Sequence, residues 1–150
     1  MRQLFSPKSL REVSPTLVRN FLTDVIRVRV SENPILEPLV FTYYITLPCN
    51  FGCVFCGFVQ SGVTKKRSDE LSTEDSIKLL RIIRQSSSHI YFSGGEPLVR
   101  KDLGEILAEC KRMGFHSVSV NTSLGTIHKQ MEILDHIVTL VVSFHRLDDR

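Results

Sequence analysis

Residues 40–57 read VFTYYITLPCNFGCVFCG, and the fold and the chemistry both start from this stretch. Its first half, Val40 to Leu47, is dense in β-branched and aromatic side chains, which pack well on a pleated surface, so it is expected to be a strand. Its second half places Cys49, Cys53 and Cys56 within eight residues. Three thiols this close cannot all pair with one another, and a secreted disulfide framework would spread its cysteines along the chain. Buried cysteine is ordinarily a small hydrophobe, but three in one loop point to metal or cluster binding and to a reducing compartment. A cytoplasmic setting is expected.

Working outward, the chain alternates strand and helix patterns. Residues 62–70 (GVTKKRSDE) form a polar loop whose Lys65-Lys66-Arg67 run is expected to be solvated. Ser72 caps a helix with Glu74 and Asp75 in its first turn, favourable at the positive end of the helix dipole, and Ile77, Leu80 and Ile83 form its inward face. His89 to Ser93 (HIYFS) reads as a second strand, ending in Gly94-Gly95-Glu96-Pro97. A helix over 101–113 carries Leu103, Ile106, Leu107, Cys110 and Met113 as one stripe, which makes Cys110 a core residue, and Gly114 stops it. His116 to Thr122 is a third strand, 126–136 a third helix facing inward through Ile127, Met131 and Leu134, and Ile137 to Phe144 a fourth strand. Such alternation predicts an α/β fold with a parallel sheet and right-handed crossovers, a partial TIM-like (βα) barrel. In these folds the carboxyl ends of the strands form the ligand face. The cysteine loop, the Gly-Gly-Glu-Pro turn, Asn121 and Ser143 all follow strand ends.

The chain before residue 39 reads as a helical extension and linker, leaving 39–150 as the barrel portion. Ser14-Pro15 is a strong helix start, and Leu17, Val18, Phe21, Leu22, Val25 and Ile26 recur at helical spacing beside Arg19, Arg27 and Arg29. A basic amphipathic helix of this kind can lie on a membrane surface, but the favoured expectation is that it packs across one end of the domain. Ser31-Glu32-Asn33-Pro34 and Glu37-Pro38 then read as linker.

Composition bounds the function classes. With 42% hydrophobic and 23% charged residues among 150, the chain can build one real core. No run of eighteen apolar residues exists for a spanning helix, and the start does not read as a signal peptide. A net charge of +3, from 19 basic and 16 acidic side chains, is too small to indicate a nucleic-acid partner.

The three cysteines admit two inorganic readings. A structural zinc site wants four protein ligands, and a fourth is not evident, since His89 and His116 begin strands at the end of the sheet away from the loop and Cys110 belongs to a helix stripe. A [4Fe–4S] cube held by three thiolates leaves one iron for a small molecule bearing amino and carboxylate groups. Asn50 and Gly52 supply turn-forming residues inside the loop. In the second motif, Gly94 and Gly95 permit close backbone approach, Pro97 rigidifies the turn, and Glu96 adds a carboxylate able to accept from an ammonium group.

The CxxxCxxC loop, with the aromatic Phe55 just before its last cysteine, and the GGEP turn ending the second strand together resemble the radical S-adenosylmethionine (radical SAM) enzymes over roughly residues 41–144. The resemblance implies that Cys49, Cys53 and Cys56 hold a [4Fe–4S] cluster and that SAM binds its fourth iron. It implies that Gly94, Gly95 and Glu96, in the turn closed by Pro97, contact the methionine amino group and that Phe55 lines the adenine site. It also implies an enzyme that cleaves SAM reductively to a 5′-deoxyadenosyl radical, which abstracts hydrogen from a substrate. An electron donor such as flavodoxin or ferredoxin goes with that chemistry. Asn121 and Ser143 are looser matches for cofactor contacts, because the glycine expected near Asn121-Thr122-Ser123 is delayed to Gly125; His145 and Arg146 follow and could reach the same rim. Whether the substrate is a small molecule or a peptide is not written in these residues.

A full eight-unit barrel takes about 200 residues or more, and four strands and three helices supply only its N-terminal part. The expectation is an incomplete barrel with exposed strand edges, prone to self-association or completed by a partner chain. The alternatives to an enzyme are a non-catalytic iron–sulfur or SAM-binding subunit and a structural zinc module.

Overall fold

A computed structural model describes residues 13–63 and 70–144. Helix α1 (Pro15–Val30) precedes strand β1 (Phe41–Thr46); the cysteine loop leads into a single turn, α2 (Gly57–Gln60), and then into α3 (Thr73–Ser86). Strand β2 (His89–Gly94), helix α4 (Leu103–Arg112), strand β3 (Ser117–Thr122) and strand β4 (Thr139–Val142) complete the order. The four strands pair in parallel in the order β1-β2-β3-β4. This is the α/β fold of a partial barrel, with β1 and β4 as the edges among the described residues.

Alternation along the strands separates two faces. Ile90 and Phe92 of β2 and Val118 and Val120 of β3 are buried, while the residues between them are less so. That buried face packs on Leu80 and Ile83 of α3 and on Leu103, Ile106, Leu107 and Cys110 of α4. The expected helix faces are therefore present, with Ile77 half-buried at the margin. Ser72 accepts from Asp75 N–H at 3.1 Å, which starts α3 where the cap predicts.

The third predicted helix is not formed. Residues 126–136 instead make two 3₁₀ turns, Ile127–Lys129 and Met131–Asp135, broken at Gln130. Gln130 is drawn out of helical geometry (φ −144°, ψ 43°), and its Nε2 donates to the Leu98 carbonyl at 2.6 Å. No side chain caps the start at Thr126. Ile127 packs against the core as expected, but Met131 and Leu134 are exposed and Ile133 is the side chain fully buried in it, so a tighter coil replaces the 3.6-residue period.

Helix α1 does pack on the domain, through polar rather than apolar side chains. Ser14 Oγ, its N-cap, accepts from Leu17 N–H at 3.1 Å and lies 2.5 Å from Ser88 Oγ. The buried Asn20 donates to the carbonyls of Ser86 (2.8 Å) and Pro38 (3.1 Å). The apolar stripe expected to turn inward is largely solvent-facing, with Phe21, Leu22 and Ile26 more than half exposed. No helix among the described residues is long and apolar enough to cross a membrane.

Candidate functional site

The site is assembled where β1 ends. Tyr44 pairs with Ser93 but Thr46 with Gly94, so Ile45 is an extra residue that bulges β1 against β2. Beyond the strand the chain stays attached to the glycine turn: Gly95 N–H donates to Thr46 O (2.9 Å) and Glu96 N–H to Pro48 O (3.0 Å). Cys49 follows at once. The two glycines are required by this contact. A Cβ on Gly94, whose φ is +133°, would lie 2.1 Å from Thr46 O, and one on Gly95 would lie 2.2 Å from Pro48 O. The close approach expected of this turn is thus to the chain's own backbone leading into the cysteine loop.

Glu96 is buried. Its carboxylate accepts from Leu98 N–H (3.1 Å), Thr122 Oγ1 (2.6 Å), Ser123 N–H (2.8 Å) and Ser123 Oγ (2.6 Å). Four donors fill the acceptor capacity of a carboxylate, and they tie the β2 turn to the end of β3. Pro97 is buried behind Glu96 and opens a 3₁₀ turn, Pro97–Val99, outside the cavity wall.

Arg100, three residues on, is also buried and ties together three elements. Its Nη1 donates to the carbonyl of the bulged Ile45 (2.8 Å), its Nη2 to Leu71 O (2.9 Å), and Nε and Nη2 pair with the two oxygens of Asp102 (2.8 Å each). Those hydrogen bonds hold the Asp102 carboxyl below the usual range despite its burial. The sequence reading missed Arg100, Thr122 and Ser123 as members of this framework.

The cysteine loop, the turn and the ends of β3 and β4 enclose one cavity of about 780 Å³. Cys49, Cys53, Cys56, Phe55, Gly94, Gly95, Glu96, Asn121 and Ser143 all line it, so nearly every candidate residue is brought to one place. The cysteines are free and part-exposed. Burial pushes the Cys49 thiol up; the Phe51 N–H at 3.4 Å from its sulfur opposes this, while Glu96, Cys53 and Cys56 add to it. Ser143 Oγ donates to Asn121 Oδ1 at 2.8 Å, which leaves the amide nitrogen of Asn121 as a donor. Tyr44 and Phe58, 5.8 Å apart and edge-on, form an aromatic wall beside Phe55. His89 and His116 lie 5.5 Å apart, with their rings tilted at 45°, at the other end of the sheet, far from the loop as expected. Lys65, Lys66, Arg67, His145 and Arg146 lie outside the described residues.

Comparison with known proteins decides the family. The sequence model of the radical SAM superfamily matches residues 43–150. The chain belongs to the radical SAM superfamily. A curated relative from Methanothermobacter thermautotrophicus, named "Probable GTP 3',8-cyclase", is 39% identical over 84 residues, which is 55% of this chain and 26% of that protein. The aligned stretch thus spans about a quarter of that relative's length.

The donor set of this radical SAM chain fits an iron–sulfur cube. Three separate part-exposed thiols on one cavity wall match ligands that each hold a different corner of a cube.

Proposed function

We propose that this chain is the cluster- and SAM-binding portion of a radical SAM enzyme, with Cys49, Cys53 and Cys56 as the cluster ligands. The observation that carries the reading is the shared cavity: the three thiols, the Gly94–Glu96 turn, Asn121 and Ser143 face one space. When bound, the reduced cluster supplies the electron for cleavage of SAM and with it the superfamily's hydrogen abstraction. The residues of this chain bind and orient. The glycine turn offers its backbone edge to the methionine ammonium, since the Glu96 carboxylate is already filled. Asn121 donates through its amide and Ser143 holds that amide in place. Phe55 provides an apolar surface for adenine. In this reading 1–38 is an extension to a core formed by 39–150, the protein is cytoplasmic, and a flavodoxin or ferredoxin delivers the electron. The substrate is a small molecule or a peptide, and the nucleotide in the relative's name makes a nucleotide the first to assay.

The test is anaerobic purification followed by iron, sulfide and zinc analysis, then dithionite with SAM. Iron and sulfide bound in the wild type, lost on Cys49→Ala, Cys53→Ala or Cys56→Ala, with 5′-deoxyadenosine formed, support the proposal. Zinc without sulfide overturns it. A second reading is favoured by the outer edges of β1 and β4, which pair with no strand among the described residues: a cluster-binding portion that needs further strands before it turns over. Cluster uptake without 5′-deoxyadenosine selects that reading.

A further inference from the structure

The segment after β3 runs against the cysteine loop, and it does so at a glycine. A Cβ at Gly125 would lie 2.7 Å from Phe51 Cζ and 3.1 Å from Phe51 Cε2, with Asn50 Nδ2 at 3.5 Å. Any side chain at 125 therefore displaces the Phe51 ring. Gly125 itself has no unusual φ, so its use is space rather than backbone freedom. The residue before it carries the strain: Leu124 has φ of 66°, in the left-handed region that disfavours a side chain. Leu124 is held there by its N–H, which donates to Thr122 Oγ1 at 3.0 Å, while that hydroxyl donates to Glu96. A strained turn is thus fixed by the Glu96 brace, and its product is the placement of Gly125 under an aromatic ring.

Phe51 stands midway between Cys49 and Cys53, and its N–H points to the Cys49 sulfur at 3.4 Å. A ring seated there restrains, through Phe51, the backbone between two candidate ligands. The geometry points to Gly125 as a positioning residue: its missing Cβ seats Phe51 on the turn after β3, and that seat fixes the Cys49–Cys53 half of the loop. The ligand role of those cysteines is the proposed function above, on which this inference rests.

The experiment uses the full 150-residue chain as wild type, Gly125→Ala, Phe51→Ala and the double variant. In the metal-free chains, the rates of iodoacetamide labelling at Cys49 and Cys53 are read by mass spectrometry, beside urea midpoints. In anaerobically reconstituted chains, the rate at which a chelator strips the cluster is read by absorbance. Phe51 is 40% exposed and its ring tip can swing outward, so Gly125→Ala should leave the urea midpoint unchanged. It should speed labelling and stripping on the order of threefold or more, the scale of a contact coupling. Phe51→Ala should match it, and the double variant should be no worse than Phe51→Ala alone. Gly125→Ala rates equal to wild type, or single-variant effects that multiply in the double, overturn the inference. If the wild type takes up no cluster, the proposed function fails, while labelling of the metal-free chains still decides the seat.

Discussion

Glu96 accepts from both the backbone N–H and the hydroxyl of Ser123, at 2.8 and 2.6 Å through the same carboxylate oxygen. Glu96→Gln puts an amide in place of one oxygen. In either orientation a buried donor then faces donors. The hydroxyls can rotate but an N–H cannot, so the variant should lose about 1–3 kcal/mol of stability, the penalty for leaving a buried donor unsatisfied. Ser123→Ala keeps the N–H bond and leaves no buried donor facing a donor, so it should lose less than Glu96→Gln. Urea titration of the metal-free chains gives the ranking. An unchanged midpoint in Glu96→Gln would show that the carboxylate is not the brace described. Under the proposed function, SAM affinity should fall in the same variant, because the turn that carries the glycines is displaced with it.

Arg100 is 5% exposed at its side chain and Asp102 26%. Arg100→Met would strip donors from the Ile45 and Leu71 carbonyls and leave the Asp102 charge without its ion partner, with only the Thr73 hydroxyl still donating to it at 2.6 Å. Removing one partner of a fully buried pair costs about 3–5 kcal/mol; with Asp102 partly in water, about 2–4 kcal/mol is expected here. Adding Asp102→Asn to Arg100→Met should recover part of this, since the stranded charge disappears. A double variant less stable than Arg100→Met would refute the pairing argument. Because Asp102 is held below the usual carboxylate value of 3.8, its stabilisation is present above that pH and is lost as pH falls through the lower folded value. That acid limb should be weaker in Arg100→Met.

The elements that could be read from sequence were those whose signal is local. Ser72 and Ser14 cap helices through their own neighbours' N–H groups, and β2 and β3 alternate because one face meets helices. The cysteine loop and glycine turn were visible because their chemistry is concentrated in a few adjacent residues. What was not visible depends on distant partners. Gln130 leaves helical geometry for a carbonyl 32 residues away. Arg100 reaches Ile45 across 55 residues, and the Glu96 donors Thr122 and Ser123 sit 26 and 27 residues on. The apolar period of α1 was real, but buried polar anchors at Ser14 and Asn20 set which face turns inward.

His89 gives the pH dependence near neutrality. Burial lowers its pKa from 6.5, and His116, 5.5 Å away ring to ring, lowers it further. The unfolded chain therefore binds a proton at a pH where the folded chain does not. Stability from this group is full above 6.5 and declines as pH falls from 6.5 through the lower folded value. Urea midpoints should drop between pH 7.5 and pH 5.5, and His89→Asn should flatten that drop. An identical drop in the variant would assign the effect to other groups.

Cys110 completes the account of the thiols by contrast. Its side chain is fully buried on α4, and burial pushes its thiol up to about 12. A thiol so placed is protonated at neutral pH and unreactive. Iodoacetamide should label Cys49, Cys53 and Cys56 in the folded metal-free chain and leave Cys110 untouched until urea is added. Cys110→Ala removes only one buried sulfur from a packed site, so it should lower stability by about 1 kcal/mol, toward the low end for core truncations. Cys110→Ser should be worse, because the hydroxyl is a stronger polar group to desolvate than the thiol. Both variants should bind as much iron as wild type. Iron lost from Cys110→Ala but kept in Cys53→Ala would reverse the assignment of ligands, since it would place the cluster on α4 and not in the loop.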